Sequence, residues 1–498
     1  MKRLVTSTAL VGTSSLLGVV TALLRNKLLA VLVGAAGVGL LAQVGNLINI
    51  LSSLASLGIG VGMAKYVAEF SSRGDRDALA RLKASGLAPT WLASGVALAV
   101  ALLLRKQLAV LIFGSDELSW AVALAALAVP LLVQFSFHLA VIQGLKSMRR
   151  YALSNAAASA AGLIILVPLV YFLRWKGAVV HIVAAAALSY LVIYLVSRSL
   201  YAAAGFGGRA GVDRSLVRDL LVYGVSSLAV GALYWVNLLA VRSIILRKLG
   251  PDANGIYQVA LGISFQYLML ILNSVSAYAF PRLSELKEHD SIVHEMRSAM
   301  RLSILLVTGC ASVMLVARHW LVPLLFSPEF RQGEQLLPAQ FVADFLRAVA
   351  WMLGIWMLPQ GRLRTWVGLD VIMNVSLMGT FLLLLSRFRG FGDPVFLLLA
   401  APIAHCVAYL IHCLLNYGYA RRSIGFSFGG PLRRLLVTSL GLVCVCGVLP
   451  PGRPVFMLSG LVLIGLWARF SVSREEARAA LAVAREKLAL LKGFRKAQ

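Results

Sequence analysis

The sequence predicts an all-α polytopic membrane protein of about 14 transmembrane helices. The expected architecture is two pseudo-symmetric six-helix lobes around a central cavity, followed by two extra C-terminal helices. Three observations carry this expectation. First, the chain is strongly apolar. Its mean hydropathy is +0.85 and 13% of its 498 residues are charged, about half the roughly 25% usual in globular proteins. Second, most of the apolar stretches reach the ~17–25 residues that span a bilayer as a helix. Alternating barrel strands of roughly 10 residues are not seen, and lipid leaves the backbone no other way to satisfy its polar groups. Third, one hairpin occurs twice. Gly34-Ala-Ala-Gly-Val-Gly39-Leu40 joins two apolar segments, and Glu69 closes the second; Gly250-Pro-Asp-Ala-Asn-Gly255-Ile256 joins two more, closed by Glu285. The offsets 250 − 34, 255 − 39 and 285 − 69 are all 216. An internal repeat of membrane segments is the pattern of transporters, whose substrate site commonly lies between the repeats.

The elements follow in order. Spans 1 and 2 are expected at about 5–32 and 39–70, followed by the basic loop Ser71–Lys83. Span 3 covers about 84–104. The segment Arg105–Ser119 crosses the outer surface around Phe113-Gly-Ser-Asp-Glu117. Span 4 (about 119–145) ends in Lys146-Ser-Met-Arg-Arg150, and spans 5 and 6 (about 151–173 and 178–200) are joined by Arg174-Trp-Lys-Gly177. This N-lobe, 1–204, gives way to a cytoplasmic linker at 205–218, where glycine and arginine interrupt the apolar pattern. The C-lobe, 219–417, holds spans 7 and 8 (about 219–246 and 255–281) and span 9 (about 299–317). An outer segment, Arg318–Pro338, carries a second Phe-led turn at Phe326-Ser-Pro-Glu329. Spans 10, 11 and 12 follow at about 339–359, 365–386 and 395–415. The stretch 418–472 holds spans 13 and 14, at about 434–449 and 455–470. At 473–498 the capping box Ser473-Arg-Glu-Glu476 opens a basic amphipathic cytoplasmic tail helix, which lies on the membrane or serves as a solvated orientation signal.

The formal charge of +27 does not indicate a nucleic-acid partner, because the cations sit between apolar segments. With the amino terminus inside, about 32 of the 47 Lys and Arg fall on the cytoplasmic side, which is the positive-inside pattern. An even number of spans returns the carboxyl terminus to the cytoplasm. The opening Met-Lys-Arg and apolar run resemble a signal peptide, but this first segment belongs to the repeated hairpin. The five cysteines lie within apolar segments and form no disulfide framework. A P-loop, a nucleophile elbow and a soluble ATPase domain are all missing, so no enzyme is expected.

Ionisable residues inside spans are costly and therefore mark candidate sites. Arg25 and Lys27 lie about 30 Å into span 1 by helical rise, towards the outer end, and Arg242 occupies a matching depth in span 7. Lys65 with Glu69, and Arg282 with Glu285, share helix faces near the inner ends of spans 2 and 8. Asp344 and Arg347 share a face of span 10. Arg25, Lys27, Arg242, Lys65, Arg282 and Arg347 suit a phosphorylated ligand. Asp344, Glu69 and Glu285 are candidates for coupling or gating. Other readings fit the same residues: ion pairs at helix ends for the inner pairs, snorkelling to headgroups for the outer cations, and a structural buried pair for Asp344 with Arg347. Gln43, Asn46, Asn49, Asn237, Gln266 and Asn273 are candidate glycan contacts, and interhelical hydrogen bonding explains them as well. His405-Cys406 and His412-Cys413 share a face of span 12, and packing explains them better than a metal does. His138 is read as a core histidine in preference to a proton carrier.

Lys27-Leu-Leu-Ala-Val, the Gly34 turn, Leu57-Gly-Ile and Ala64-Lys-Tyr-Val-Ala-Glu69 resemble the opening of the Wzx-type O-antigen translocases. These are lipid-linked oligosaccharide flippases of the polysaccharide transporter branch of the MOP superfamily, and the enterobacterial common antigen flippases are among the most similar. Gln143-Gly-Leu-Lys146, Asn155, and Phe326-Ser-Pro-Glu-Phe330 leading to Phe341-Val-Ala-Asp-Phe-Leu-Arg347 extend the resemblance over spans 1 to 12. The resemblance implies translocation of an undecaprenyl-pyrophosphate-linked oligosaccharide from the cytoplasmic to the periplasmic leaflet of the bacterial inner membrane by alternating access. It implies no cofactor beyond proton or sodium coupling. The implied partners are the lipid substrate, the bilayer, an O-antigen polymerase and glycosyltransferases, with the protein itself a monomer. In related lipid II flippases the two extra helices form a lipid-facing groove. The competing readings are a cation-coupled multidrug exporter of the same superfamily, a lipid II flippase, and a non-transporting membrane scaffold.

Overall fold

The computed structural model describes residues 2–204, 211–388 and 394–472. The expected tail helix at 473–498 and the first part of the linker, 205–210, lie outside the described residues. All described secondary structure is helical. The helices are α1 (Lys2–Ala55), α2 (Ile59–Arg73), α3 (Arg76–Leu103), α4 (Arg105–Phe113), α5 (Ser119–Gly144), α6 (Met148–Ala204), α7 (Arg214–Glu285), α8 (His289–Val316), α9 (Arg318–Leu325), α10 (Leu337–Gly354), α11 (Leu363–Arg387), α12 (Pro394–Ile424), α13 (Gly429–Val448) and α14 (Pro454–Ser471). Short 3₁₀ turns occupy Asp116–Leu118 and Pro328–Gln335.

Three of these helices are hairpins. At 57 residues α6 would be about 85 Å long if straight, far more than the ~30 Å hydrocarbon core. It breaks at Arg174 (φ 53°, ψ −138°). The limbs then lie side by side: His181 Nε2 meets the Gly162 carbonyl at 2.8 Å, and Arg150 Nη1 donates to Ser199 Oγ at 3.1 Å although the two are 49 positions apart. In α1 the break is Gly34 (φ 68°, ψ −173°), and in α7 it is Gly250 (φ 87°, ψ 175°). Positive φ with extended ψ is open essentially to glycine alone. The two turns of the sequence repeat therefore share one backbone conformation, and Pro251 starts the limb after the second with φ already set.

Ten helical runs among the described residues are long and apolar enough to cross a bilayer, or eleven if the pair Pro328–Gln335 and Leu337–Gly354, bent by 58°, is one span; each doubled-back run counts once in that figure. The chain is a multi-pass membrane protein. Polar caps mark where helices start. Asp75 accepts from Ala78 N at 2.8 Å before α3, and Asp213 accepts from Ser215 N at 2.9 Å before α7. The Ser215 amide and hydroxyl hold the exposed Asp213 carboxyl below the usual carboxylate range.

Several boundaries depart from expectation. Span 2 is interrupted at Ser56–Gly58, because Leu57 (φ 52°) and Gly58 (φ 63°) leave the helical region. The outer segments contain the helices α4 and α9, each opening on an arginine. Helix α10 ends at Gly354, and α12 continues to Ile424.

The chain divides into two compact units. The first comprises residues 1–262, 322–334 and 363–404; the second comprises 263–321, 335–362 and 405–498. In the first, Val44, Leu47 and Ile48 of α1 pack with Ile112 and Phe113 of α4 and with Val122 and Ala125 of α5. A neighbouring cluster joins Ile59, Met63 and Val67 of α2 to Leu82, Phe137, Val141 and Leu220. In the second, α8 is the buried centre, with Met296, Met300, Ile304 and Val307 inaccessible. Helices α10 and α12 run in parallel there. The Cys406 and Cys413 thiols each donate at 3.1 Å, to the carbonyls of Ala339 and Leu346, so successive contacts advance seven residues on both helices.

Candidate functional site

The Gly34 turn folds the first limb of α1 against the second, and a cavity of about 340 Å³ opens beside them. Arg25 and Asn26 enter it from the first limb. Leu41, Gly45, Ile48 and Asn49 line it at helical spacing on the second, His181 comes from α6, and Gln258 from α7. Among the described lining residues only Arg25 carries a fixed charge. Arg25 is exposed, and its guanidinium offers a planar fork to a phosphate or carboxylate. Because a carbonyl only accepts, the His181–Gly162 contact places a proton on His181 Nε2.

The other cations expected near the outer surface are engaged. Lys27 Nζ donates to the Pro323 carbonyl at 2.7 Å. Arg242, 2% exposed, is clamped between Asn254 Oδ1 and Gln258 Oε1 and lies over the Tyr257 ring at 5.4 Å. It thereby fixes Gln258, which does face the cavity. Asn254 returns a hydrogen bond to the Gly39 carbonyl at 2.8 Å, tying the second hairpin to the first.

The predicted inner pairs take other partners. Glu69 pairs with Arg73 at 2.8 Å, and Lys65 lies 5.2 Å from the Tyr66 ring centre. Arg282 pairs with Glu295 at 3.4 Å and lies over Tyr278, while Glu285 is exposed. In the second unit Asp344, 1% exposed, accepts from Ser264 Oγ (2.6 Å), Tyr267 Oη (2.9 Å) and Gln340 Nε2 (3.1 Å). Arg347 lies over Tyr409. Among the amides, Gln43 donates to Ser243 Oγ at 3.0 Å, Asn237 to the Asn374 side chain at 2.7 Å, and Asn46 is buried. Asn49 faces the cavity, Gln266 is half-buried and Asn273 is exposed. His138 contacts the Tyr201 hydroxyl, beneath the Lys83 ammonium at 4.6 Å from that ring.

A second opening, of about 800 Å³, runs between α8, α13 and α14. Leu435, Leu442, Leu463 and Leu466 line its length, with Arg301 and Arg434 also on its wall. Sequence reasoning singled out neither of these arginines nor His181. His181 lies beyond the charged turn Arg174-Trp-Lys-Gly177, in an alanine- and valine-rich span, and only the fold-back of α6 brings it to the cavity that Arg25 lines.

Residues 4–287 match the model of a family described as polysaccharide biosynthesis protein. The lipid III flippase of Escherichia coli (strain K12) is 26% identical over 412 residues, covering 81% of this chain and 95% of that protein, and the Shigella flexneri lipid III flippase matches equally. Among solved structures, the lipid II flippase MurJ in an inward closed conformation has a TM-score of 0.69 at 10% identity, covering 96% of this chain and 100% of that one. An inward-facing multidrug resistance MATE family transporter of the MOP superfamily has a TM-score of 0.64 at 15% identity, covering 85% and 96%. The last two likenesses establish the shared transporter fold.

Proposed function

Since the chain belongs to the polysaccharide biosynthesis protein family, we propose that it is a flippase. Its cargo is an undecaprenyl-pyrophosphate-linked oligosaccharide, an O-antigen or related repeat unit, carried from the cytoplasmic to the periplasmic leaflet of the bacterial inner membrane by alternating access. The observation that carries this reading is the Arg25 cavity: one fixed cation in a chamber whose other described lining side chains are uncharged. A pyrophosphate is the group on such a lipid that needs a charge-assisted fork. Gln258, held by Arg242, supplies a neutral contact beside it. The groove between α8, α13 and α14 suits a prenyl chain, with Arg434 on its wall beside Arg301, which donates to the Ser471 carbonyl at 2.7 Å. The lipid III flippase relatives support the substrate class, and counting each doubled-back helix as two spans supports an arrangement of about fourteen. Lys65 and Arg282, near the inner ends of their helices, attract the anionic headgroup to the cytoplasmic mouth. The caged Asp344 is the coupling carboxylate, taking a proton or a sodium ion. Both termini lie in the cytoplasm, and the protein works as a monomer that receives substrate from glycosyltransferases and hands it to a polymerase.

The test is transport in vesicles. Purified protein is reconstituted with fluorescent undecaprenyl-pyrophosphate glycan, and exposure of the label on the opposite leaflet is followed with and without a proton or sodium gradient. The expected result is gradient-stimulated movement that Arg25→Ala reduces at least tenfold. Undiminished movement in Arg25→Ala removes the pyrophosphate site. Drug efflux from the same vesicles with no lipid movement establishes instead the cation-coupled exporter reading, which the caged Asp344 favours. Movement of lipid II at an equal rate broadens the substrate to lipid II.

A further inference from the structure

The break in span 2 has a chamber beside it. The second limb of α1 stops at Ala55, and α2 resumes at Ile59. By helical rise the break lies about 35 Å from Gly34 and about 24 Å from Gly74, within the stretch 39–70 expected as span 2. Non-helical backbone survives at such depth where it lines a cavity or finds internal partners, and discontinuous helices mark substrate sites in transporters. Here Ser56 supplies the internal partner, since its Oγ donates to the Ser53 carbonyl at 2.8 Å and accepts from Gly58 N at 3.3 Å. In the other repeat α7 runs unbroken through Ser274, the counterpart of Gly58 at an offset of 216. The break is therefore an added feature of one repeat and not a consequence of the shared plan.

The chamber beside it measures about 510 Å³, within the roughly 300–1,000 Å³ of sites that enclose small organic ligands. Its polar wall is made of hydroxyls and one amide: Asn49, Ser52, Ser53, Thr90 and Ser136, with the Phe137 ring as an apolar face. No charged side chain among the described residues lines it. An ionic ligand there would lose its hydration without a counter-charge, whereas an uncharged polyol would exchange water for matched donors and acceptors. Ser52 Oγ is buried and has no hydrogen-bond partner among the described residues, so the wall keeps an unused donor. Ile48 and Asn49 line both this chamber and the Arg25 cavity. The two chambers are consecutive along one helix face, one cationic and one neutral.

We infer that the hydroxyl-lined chamber at the Ser56–Gly58 break is a binding subsite for the uncharged sugar residues of the substrate, continuous through Asn49 with the anion site at Arg25. This deepens the flippase reading and rests on it for the identity of the whole ligand. The chemistry of the chamber itself is tested separately.

The probe is a free, uncharged N-acetylhexosamine trisaccharide, added to the full-length protein in detergent and followed by saturation-transfer NMR. Wild type transfers saturation to the sugar ring protons. Ser52→Leu, which narrows the chamber and removes a hydroxyl from its wall, weakens binding at least tenfold. The shape-preserving double variant Ser52→Ala/Ser136→Ala weakens it about three- to tenfold, which covers the case in which Ser52→Leu does not fold. The lipid-facing control Leu92→Ala binds as wild type. Absence of transfer in wild type, or transfer that both chamber variants leave intact, overturns the inference, as does displacement of the trisaccharide by decaprenol. In vesicles, Ser52→Leu is expected to slow the glycan-bearing lipid while bare undecaprenyl pyrophosphate moves at the wild-type rate; equal slowing of both overturns it. Sugar binding that obeys the variants, in a protein that moves neither lipid, supports the subsite and rejects the flippase reading, so the two failures read differently.

Discussion

Gly39 and Gly255 occupy equivalent places in the two hairpins and meet each other's turns. A Cβ on Gly39 would lie 2.5 Å from the Pro251 carbonyl, and one on Gly255 would overlap the carbonyl of Ala35, the residue equivalent to Pro251 at the same 216 offset. The contact is reciprocal and leaves no room for a side chain on either residue. Gly255→Ala is therefore expected to lower stability by about 1–3 kcal/mol, whereas Gly95→Ala, whose Cβ would enter open space, is neutral or slightly stabilising; thermal unfolding in detergent compares them. Arg242 is the other residue held by the repeat. Replacing it with Met leaves Asn254 Oδ1 and Gln258 Oε1 without their buried donor, at a cost of about 2–3 kcal/mol by the same assay. Arg242→Lys should not restore stability, because a single ammonium cannot reproduce the fork that reaches both amides. Full rescue by lysine would mean that charge alone matters at this position.

Helix ends decide how the elements of the second unit hold together. Four carbonyls at the end of an α-helix lack intrahelical donors, and Arg318, 5% exposed, serves two such ends at once. Its guanidinium donates to Leu315 O (2.7 Å) at the end of α8, and to Cys446 O (3.2 Å), Gly447 O (3.2 Å) and Leu449 O (2.6 Å) at the end of α13. Arg105, which opens α4 in the other repeat, is exposed, so the same residue type is structural in one place and solvated in the other. Arg318→Met is expected to speed amide exchange across the last turns of both α8 and α13 and to cost about 2–4 kcal/mol. Faster exchange in only one helix would show that the bridge is not shared. The break between α1 and α2 makes the complementary case. There a serine replaces the missing backbone bonds, and the freed geometry opens a chamber.

For the whole molecule, charge orients what apolar surface inserts. The cations of Arg73, Arg76, Arg81 and Lys83 flank one end of α2 and α3, while Asp116 and Glu117 mark the segment after α4. In the proposed orientation, which follows the positive-inside rule, Ser72 lies in the cytoplasm and Glu117 outside. In a cysteine-free background, Ser72→Cys should react with an impermeant maleimide only after the membrane is opened, and Glu117→Cys in intact cells. The opposite labelling would invert the proposed direction of transport.

Helix type, the two glycine turns and the 216-residue repeat were readable in the sequence, because each depends on local chemistry: apolar length sets a span, and positive φ with extended ψ favours glycine. The destination of each polar side chain was not. Helical spacing places Gln43, Asn46 and Asn49 on one face, but only tertiary contacts spend Gln43 on Ser243, 200 positions away, and leave Asn49 facing two cavities. Arg25 and Arg242 looked equivalent by depth. The fold turns one into a chamber and buries the other between two amides, because what a cation faces depends on the opposing helix. The sequence by itself determined a membrane bundle of repeated helical hairpins, and packing between distant hairpins decided which charge remains available to a ligand.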